Sequence, residues 1–252
     1  MAPISEANET GFAGRMRDLE ARFAATAAAD GDVYLPNFTP SAPVDAVFIG
    51  MEPSLGRWAR TPDEAATRIA AGFRNFMWSP EDFILHYAAR TSICASGGTY
   101  HITDVSKGAM TVEKANVDRR ARYARWAALL DEELRLIEKP GTRIIAIGRE
   151  VGLCLARHGF NREFTSIIHY SQLASAARTS AVLGREPEFR AFAETVSLNT
   201  LVEVATDIMR EQSVPAAMAE ETLTRIRRAK LSESHKKLAF AYVTSFTAPH
   251  MP

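Results

Sequence analysis

Apolar residues recur at three- and four-residue steps through 11–29, where Phe12, Met16, Leu19, Phe23 and Ala27 form one stripe. That spacing predicts an amphipathic helix packed on the main body. Elsewhere the pattern changes to short, unbroken apolar runs. VDAVFIG (44–50) opens after Pro43 and closes on glycine, and TRIIAIG (142–148) follows KPG and leads straight into the helical REVGLCLARHGF. YHITDV (100–105) and FTSIIH (164–169) are two more such runs. Runs of this length suit strands buried on both faces, and strands separated by helical stretches suit a parallel sheet. The segment 113–138 reads as a long amphipathic helix carrying Arg119, Arg120, Arg122 and Arg125. From Pro187 onward the pattern is helical, with breaks near Pro215 and LSESHKK. The expected organisation is an α/β domain over 1–186 and a helical extension over 187–252, with no internal repeat.

Composition narrows this picture modestly. Of 252 residues 46% are hydrophobic, enough for a sizeable core, and Lys plus Arg equal Asp plus Glu at 30 each. A global basic field is therefore absent, and any nucleic-acid contact must come from local clusters. The two cysteines, Cys94 and Cys154, lie far apart without metal-ligand spacing and read as reduced thiols. Neither a metal nor a cofactor is expected. Neither a secretory leader nor an apolar run near the roughly 20 residues needed to span a bilayer is apparent, so the expectation is a cytoplasmic protein with no membrane partner.

In open α/β sheets ligands sit outside the carboxyl ends of the strands, which directs attention to three loops. GMEPSLG follows the first run, with Gly50 permitting a sharp turn, Glu52 offering a carboxylate and Pro53 stiffening the chain. Asp104 and Lys107 follow YHIT, and His169 and Ser171 follow TSII. If these strands are neighbours, two carboxylates and a histidine converge on one edge. Each also has a plainer reading: Glu52 as a solvated turn residue, Asp104 as a loop cap or partner of Lys107, and His169 as a hydrogen-bonded part of the scaffold.

The order and character of these loops resemble the uracil-DNA glycosylase superfamily. GMEPS is similar to its first motif (GQDPYH, GMNPG or GINPG), ITDVSKG (102–108) to a strand ending in asparagine as in ITNVVKC, and HYSQL (169–173) to HPSPL at His169, Ser171 and Leu173. RIIAIGREVGLCL also looks like that fold's penultimate strand and helix, and the likeness covers 30–175. It implies a three-layer α/β/α fold around a mainly parallel four-stranded sheet, here with the C-terminal helices appended. It further implies a DNA glycosylase that flips a pyrimidine base out of DNA and hydrolyses its N-glycosidic bond; the sequence leaves the oligomeric state open, with a monomer the working expectation.

By that resemblance Glu52 and His169 are the catalytic pair. Glu52 would stabilise the positive sugar or orient water, and His169 would donate to the base O2 as negative charge builds there. Gly50, Met51, Phe76 and Asp104 would hold the base, with Phe76 stacking on it and Phe73 and Trp78 as alternatives. Ser54, Arg57 and Ser171 would contact DNA phosphates, and Leu173 would wedge into the vacated stack. Arg60 and the stretch Arg225, Arg227, Arg228, Lys230, Lys236 and Lys237 are further candidates, or simply solvated faces.

The departures bear on substrate. Tyr170 and Gln172 stand where HPSPL has prolines, which predicts a less rigid loop. Asp104 stands where the family has asparagine. An ionised aspartate only accepts hydrogen bonds, whereas a protonated one can match the N3 acceptor and N4 donor of cytosine. A cytosine-type base, including a hypermodified one of phage DNA, thus joins uracil as a candidate. The alternatives are a non-catalytic DNA- or nucleotide-binding module on the same fold, and a Rossmann-like enzyme, against which the absence of G-x-G-x-x-G after the first strand counts.

Overall fold

A computed structural model describes residues 11–56, 58–110, 120–171 and 174–247, so Arg57, Arg119 and Leu173 lie outside the described residues. Along the chain run α1 (Phe12–Ala29), β1 (Val33–Tyr34), β2 (Val44–Gly50), α2 (Pro62–Ala70), α3 (Pro80–Ser92), β3 (Tyr100–Asp104) and β4 (Gly108–Ala109). Then come α4 (Arg120–Ile137), β5 (Glu138–Ile147), α5 (Arg149–Arg157), β6 (Thr165–Ile167) and α6 (Ser175–Ser180). The chain closes with α7 (Glu186–Thr195), α8 (Leu198–Glu211), α9 (Ala216–Arg228) and α10 (Glu233–Thr247).

The four short runs hold the four strands of one parallel sheet, in the order β3-β2-β5-β6, although β6 is three residues with Thr165 and Ser166 exposed. Side-chain alternation along each strand divides the core in two. Ala46, Phe48, Ile145 and Ile147 face a cluster completed by α3 and the C-terminal helices, through Phe83, Leu201, Leu238 and Tyr242. Val47, Ile49, Ile144 and Ala146 face the other cluster, with Met16, Leu19, Phe23 and Ala27 of α1 and Trp126 and Leu130 of α4. The fold is α/β with three layers, and the helices after residue 186 pack into the first of these cores. The stripe read at 11–29 is the buried face of α1. Small differences from the sequence pattern fall at strand ends: α4 runs directly into β5 at Glu138, and β6 stops at Ile167. β1 and β4, two residues each, form an extra antiparallel pair that is too short to leave a periodic signature.

The exit of β3 is anchored by a buried ionic network. Lys107 and Glu133 are 1% and 2% exposed, and the lysine Nζ donates to Glu133 Oε2 at 2.5 Å and to the Asp104 carbonyl at 2.7 Å. The same carboxylate accepts from Thr103 Oγ1 at 3.0 Å and from His101 Nε2 at 3.2 Å, while Asn37 donates to Thr103 at 3.1 Å. Burial alone would raise the Glu133 carboxyl, but the Lys107 charge and the His101 bond hold it down at about 2. Stability from this depressed group is present above its unfolded value and is lost as pH falls through about 2. Lys107→Met, which leaves a buried carboxylate without its cation, is expected to cost about 3–5 kcal/mol in urea denaturation. Lys107→Met combined with Glu133→Leu should recover part of that loss, and a single variant within 1 kcal/mol of wild type would show that the pair does not carry the anchor.

Candidate active site at the carboxyl edge of the sheet

β2 and β3 end in register, Gly50 opposite Asp104, and their pairing continues past the strand ends. Val105 N–H donates to Gly50 O at 2.9 Å, and Ser106 N–H donates to Met51 O at 3.0 Å. The two loops are thus fixed to one another. A β-carbon on Gly50 would lie 2.1 Å from Asp104 Oδ1 and 3.4 Å from Phe76 Cζ, so glycine is required for the carboxyl and the ring to meet over this backbone. Asn75 Nδ2 donates to Asp104 Oδ2 at 2.6 Å. Asp104 is 2% exposed, and burial pushes its carboxyl up to about 7 against the pull of Asn75 and Lys107, with the Glu52 charge adding to the push. The alternative reading of Asp104 as an ion-pair partner of Lys107 does not hold; the lysine meets the Asp104 main chain and spends its charge on Glu133.

Phe76 has φ of +57°, a region that bulky side chains rarely adopt. Its neighbours over-determine that backbone. Asn75 N–H donates to Pro36 O at 2.9 Å, Phe76 N–H donates to Asn75 Oδ1 at 3.1 Å, and His86 Nε2 donates to Phe76 O at 3.0 Å. Tyr100 hydroxyl completes the chain on His86 Nδ1 at 2.7 Å, and burial lowers this histidine to about 4. Strain held by several partners is a recurring property of functional sites. Of the three aromatics read as stacking candidates, Phe76 reaches Gly50, Phe73 stacks on Trp58 in the core, and Trp78 packs against the guanidinium groups of Arg68 and Arg225. A pocket of about 200 Å³ opens beside Asn75 and Phe76 along the outer side of β3.

Glu52 sits in the loop after β2, half-buried, and Tyr123 of α4 donates its hydroxyl to Oε2 at 2.7 Å. Tyr123 lies on the core-facing stripe of α4, and nothing in the sequence marks it as a partner of Glu52. Ser54 is exposed, in a bridge with Met110, and its carbonyl accepts from Trp58 Nε1 at 2.6 Å.

His169 leaves β6 beside Gly148, whose φ of +98° needs glycine and whose missing β-carbon admits the imidazole; a Cβ there would be 3.1 Å from the ring. Ser171 N–H donates to His169 Nδ1 at 3.0 Å. An imidazole nitrogen that accepts carries no proton, so the neutral ring holds its hydrogen on Nε2 and is a donor there. Burial, then the Arg178 charge, keeps His169 below the ordinary histidine value. Tyr170 stacks on the ring at 4.4 Å, and burial together with the Asp104 charge raises its hydroxyl far above the usual range. The loop is held by its carbonyls: Tyr242 hydroxyl donates to Ile168 O at 3.0 Å and Arg178 grips Tyr170 O and Ser171 O.

Much of the basic stretch is engaged within the protein. Arg227 pairs with Glu220, Lys237 pairs with Glu233 and Lys236 caps the Ala193 carbonyl. Among the described residues no helix is long and apolar enough to cross a membrane, and no group of three or more His, Cys, Asp or Glu could hold a metal ion. No family model, curated protein or solved structure matches this chain. Gly50→Ala is expected to displace Asp104 and destabilise the protein by about 1–3 kcal/mol through overpacking. Thermal melts and the titration of Asp104 followed by carboxyl NMR would check this, and an unchanged titration would mean that the carboxyl does not depend on the glycine.

Proposed function

We propose that the protein is a DNA glycosylase that releases a flipped pyrimidine base, acting in the cytoplasm as a monomer. The observation that carries the reading is the placement, after the carboxyl ends of strands of one parallel sheet, of a tethered carboxylate, an imidazole whose Nδ1 accepts a hydrogen bond, and a buried carboxyl beside an aromatic ring. Cleavage of a base–sugar bond leaves positive charge on the sugar and negative charge on the base. Glu52, oriented by Tyr123, answers the first and is positioned to direct water at the sugar carbon. His169 answers the second without itself losing a charge, because a neutral donor needs no proton from solvent to act. Phe76 supplies a face for the extruded base, a contribution of about 1–3 kcal/mol that offsets unstacking.

Asp104 narrows the substrate to a cytosine-type base. Asn75 occupies Oδ2 as a donor, which favours the carboxyl proton on Oδ1, the oxygen beside Gly50. The protonated group then offers a donor to cytosine N3 and an acceptor to its N4 amino group, whereas uracil would present O4 to an acceptor.

Glu52→Gln and His169→Ala are each expected to lower base release by about a hundredfold or more while DNA binding persists. The assay is mass spectrometry of bases freed from uracil, cytosine-derived and hypermodified phage DNA. Binding without release of any base by the wild-type protein would turn the assignment to a non-catalytic DNA-binding module.

Asp104→Asn should move preference from cytosine-type toward uracil-type bases. In wild type, cytosine-type release should be greatest where the carboxyl is protonated and should fall as pH rises through about 7. The ratio of release rates on the two substrates, measured across that range, decides the point; the same ratio in both proteins would return Asp104 to a structural role.

A further inference from the structure

One buried charge stands outside the chemistry described above. Arg178 of α6 is 3% exposed, and no carboxylate pairs with it among the described residues. A buried guanidinium without a counter-charge is costly, and here dipoles meet its two terminal nitrogens while Nε has no partner among the described residues. Its Nη1 donates to Ser234 Oγ at 2.9 Å, and its Nη2 donates to Ser171 O at 2.9 Å and to Tyr170 O.

The Tyr170 carbonyl and the Ser171 N–H belong to one peptide group. Arg178 therefore holds the oxygen end of that peptide while the nitrogen end donates to His169 Nδ1. A cation on the oxygen draws electron density along the amide, strengthens the N–H as a donor, and passes the polarisation through the imidazole to Nε2. We infer that Arg178 is a positioning residue for His169: through the Tyr170–Ser171 peptide it fixes the Nε2–H tautomer, keeps the ring uncharged and sharpens the donor offered to an anion in the site. The inference deepens the reading of His169 as the donor to the departing base and rests on it for its catalytic consequence only.

The other groups around this relay are consistent with a cation acting alone. Tyr170 stacks on the imidazole and Tyr242 of α10 reaches the Ile168 carbonyl, both with hydroxyls that stay protonated in the ordinary range. Asp104 faces Tyr170, and from α3 Asp82 and Glu81 lie toward both tyrosines, Glu81 being paired with His235 of α10 at 3.2 Å. No carboxylate is hydrogen-bonded to His169 among the described residues, so the charge that reaches the imidazole is that of Arg178.

The test is the pH titration and tautomer of His169, read from its ring nitrogen NMR shifts in wild type, Arg178→Gln and Arg178→Lys. The glutamine variant can still donate to a carbonyl but carries no charge. Its His169 midpoint should rise by about half a pH unit or more, with the Nε2–H form less populated, and the lysine variant should lie between it and wild type. Wild-type titration and tautomer in a folded Arg178→Gln protein would overturn the inference. If that variant does not fold, Arg178→Lys decides, because an ammonium cannot span both carbonyls and Ser234, and an unshifted His169 there would overturn it equally. Base release should fall in kcat with KM retained. A wild-type protein that frees no base would defeat the glycosylase reading, while the NMR comparison would still decide the role of Arg178.

Discussion

The pairing of Lys107 with Glu133 is the constraint on which the rest of the site depends. Two ions taken out of water are tolerated only when every remaining donor and acceptor is met, and here Thr103, His101 and the Asp104 carbonyl meet them. Because one end of the network is the main chain of Asp104 and the other is α4, the exit of β3 cannot shift without breaking charged hydrogen bonds. The same helix carries Tyr123, so the position of Glu52 is tied to that of Asp104 through a shared rigid element. By satisfying Glu133, Lys107 also leaves the Asp104 carboxyl without a salt-bridge partner among the described residues, and burial dominates its proton affinity.

The architecture was legible where burial leaves a period. Apolar runs marked β2 and the second half of β5, which are buried on both faces, and the i, i+3, i+4 stripe marked α1, whereas β6 was found from Ile167 although its Thr165 and Ser166 are exposed. The loops that follow those strands were legible for a related reason: Gly50 and Glu52 lie beside one another in the chain as they do in space. What stayed hidden was everything joined across sequence distance. Asn75 and Asp104 are 29 residues apart, Tyr123 and Glu52 are 71 apart, and neither pair leaves a local pattern. Glu133 looks like any other helix carboxylate until its burial is known.

The histidine loop shows the same limit from another side. With Tyr170 and Gln172 in place of prolines, the sequence predicts a looser turn, since φ is no longer fixed by a ring. The fold restrains it by different means, gripping three successive-region carbonyls, those of Ile168, Tyr170 and Ser171, from side chains on α6 and α10. Local stiffness has been exchanged for tertiary stiffness. The C-terminal helices, which the sequence marks only as amphipathic, thereby support the loop through Tyr242 and, by way of Arg178, Ser234.

That arrangement has a bearing on how the molecule is made. The hydroxyl that closes the Ile168 carbonyl belongs to Tyr242, near the end of the last described helix, and the strand it serves is the edge strand β6. A chain emerging from the ribosome can pair its first strands early, but the His169 loop cannot be fastened until α10 has been synthesised and has docked. The sheet and the loops after β2 and β3 are thus complete in the chain well before the last fastening of the His169 loop can form.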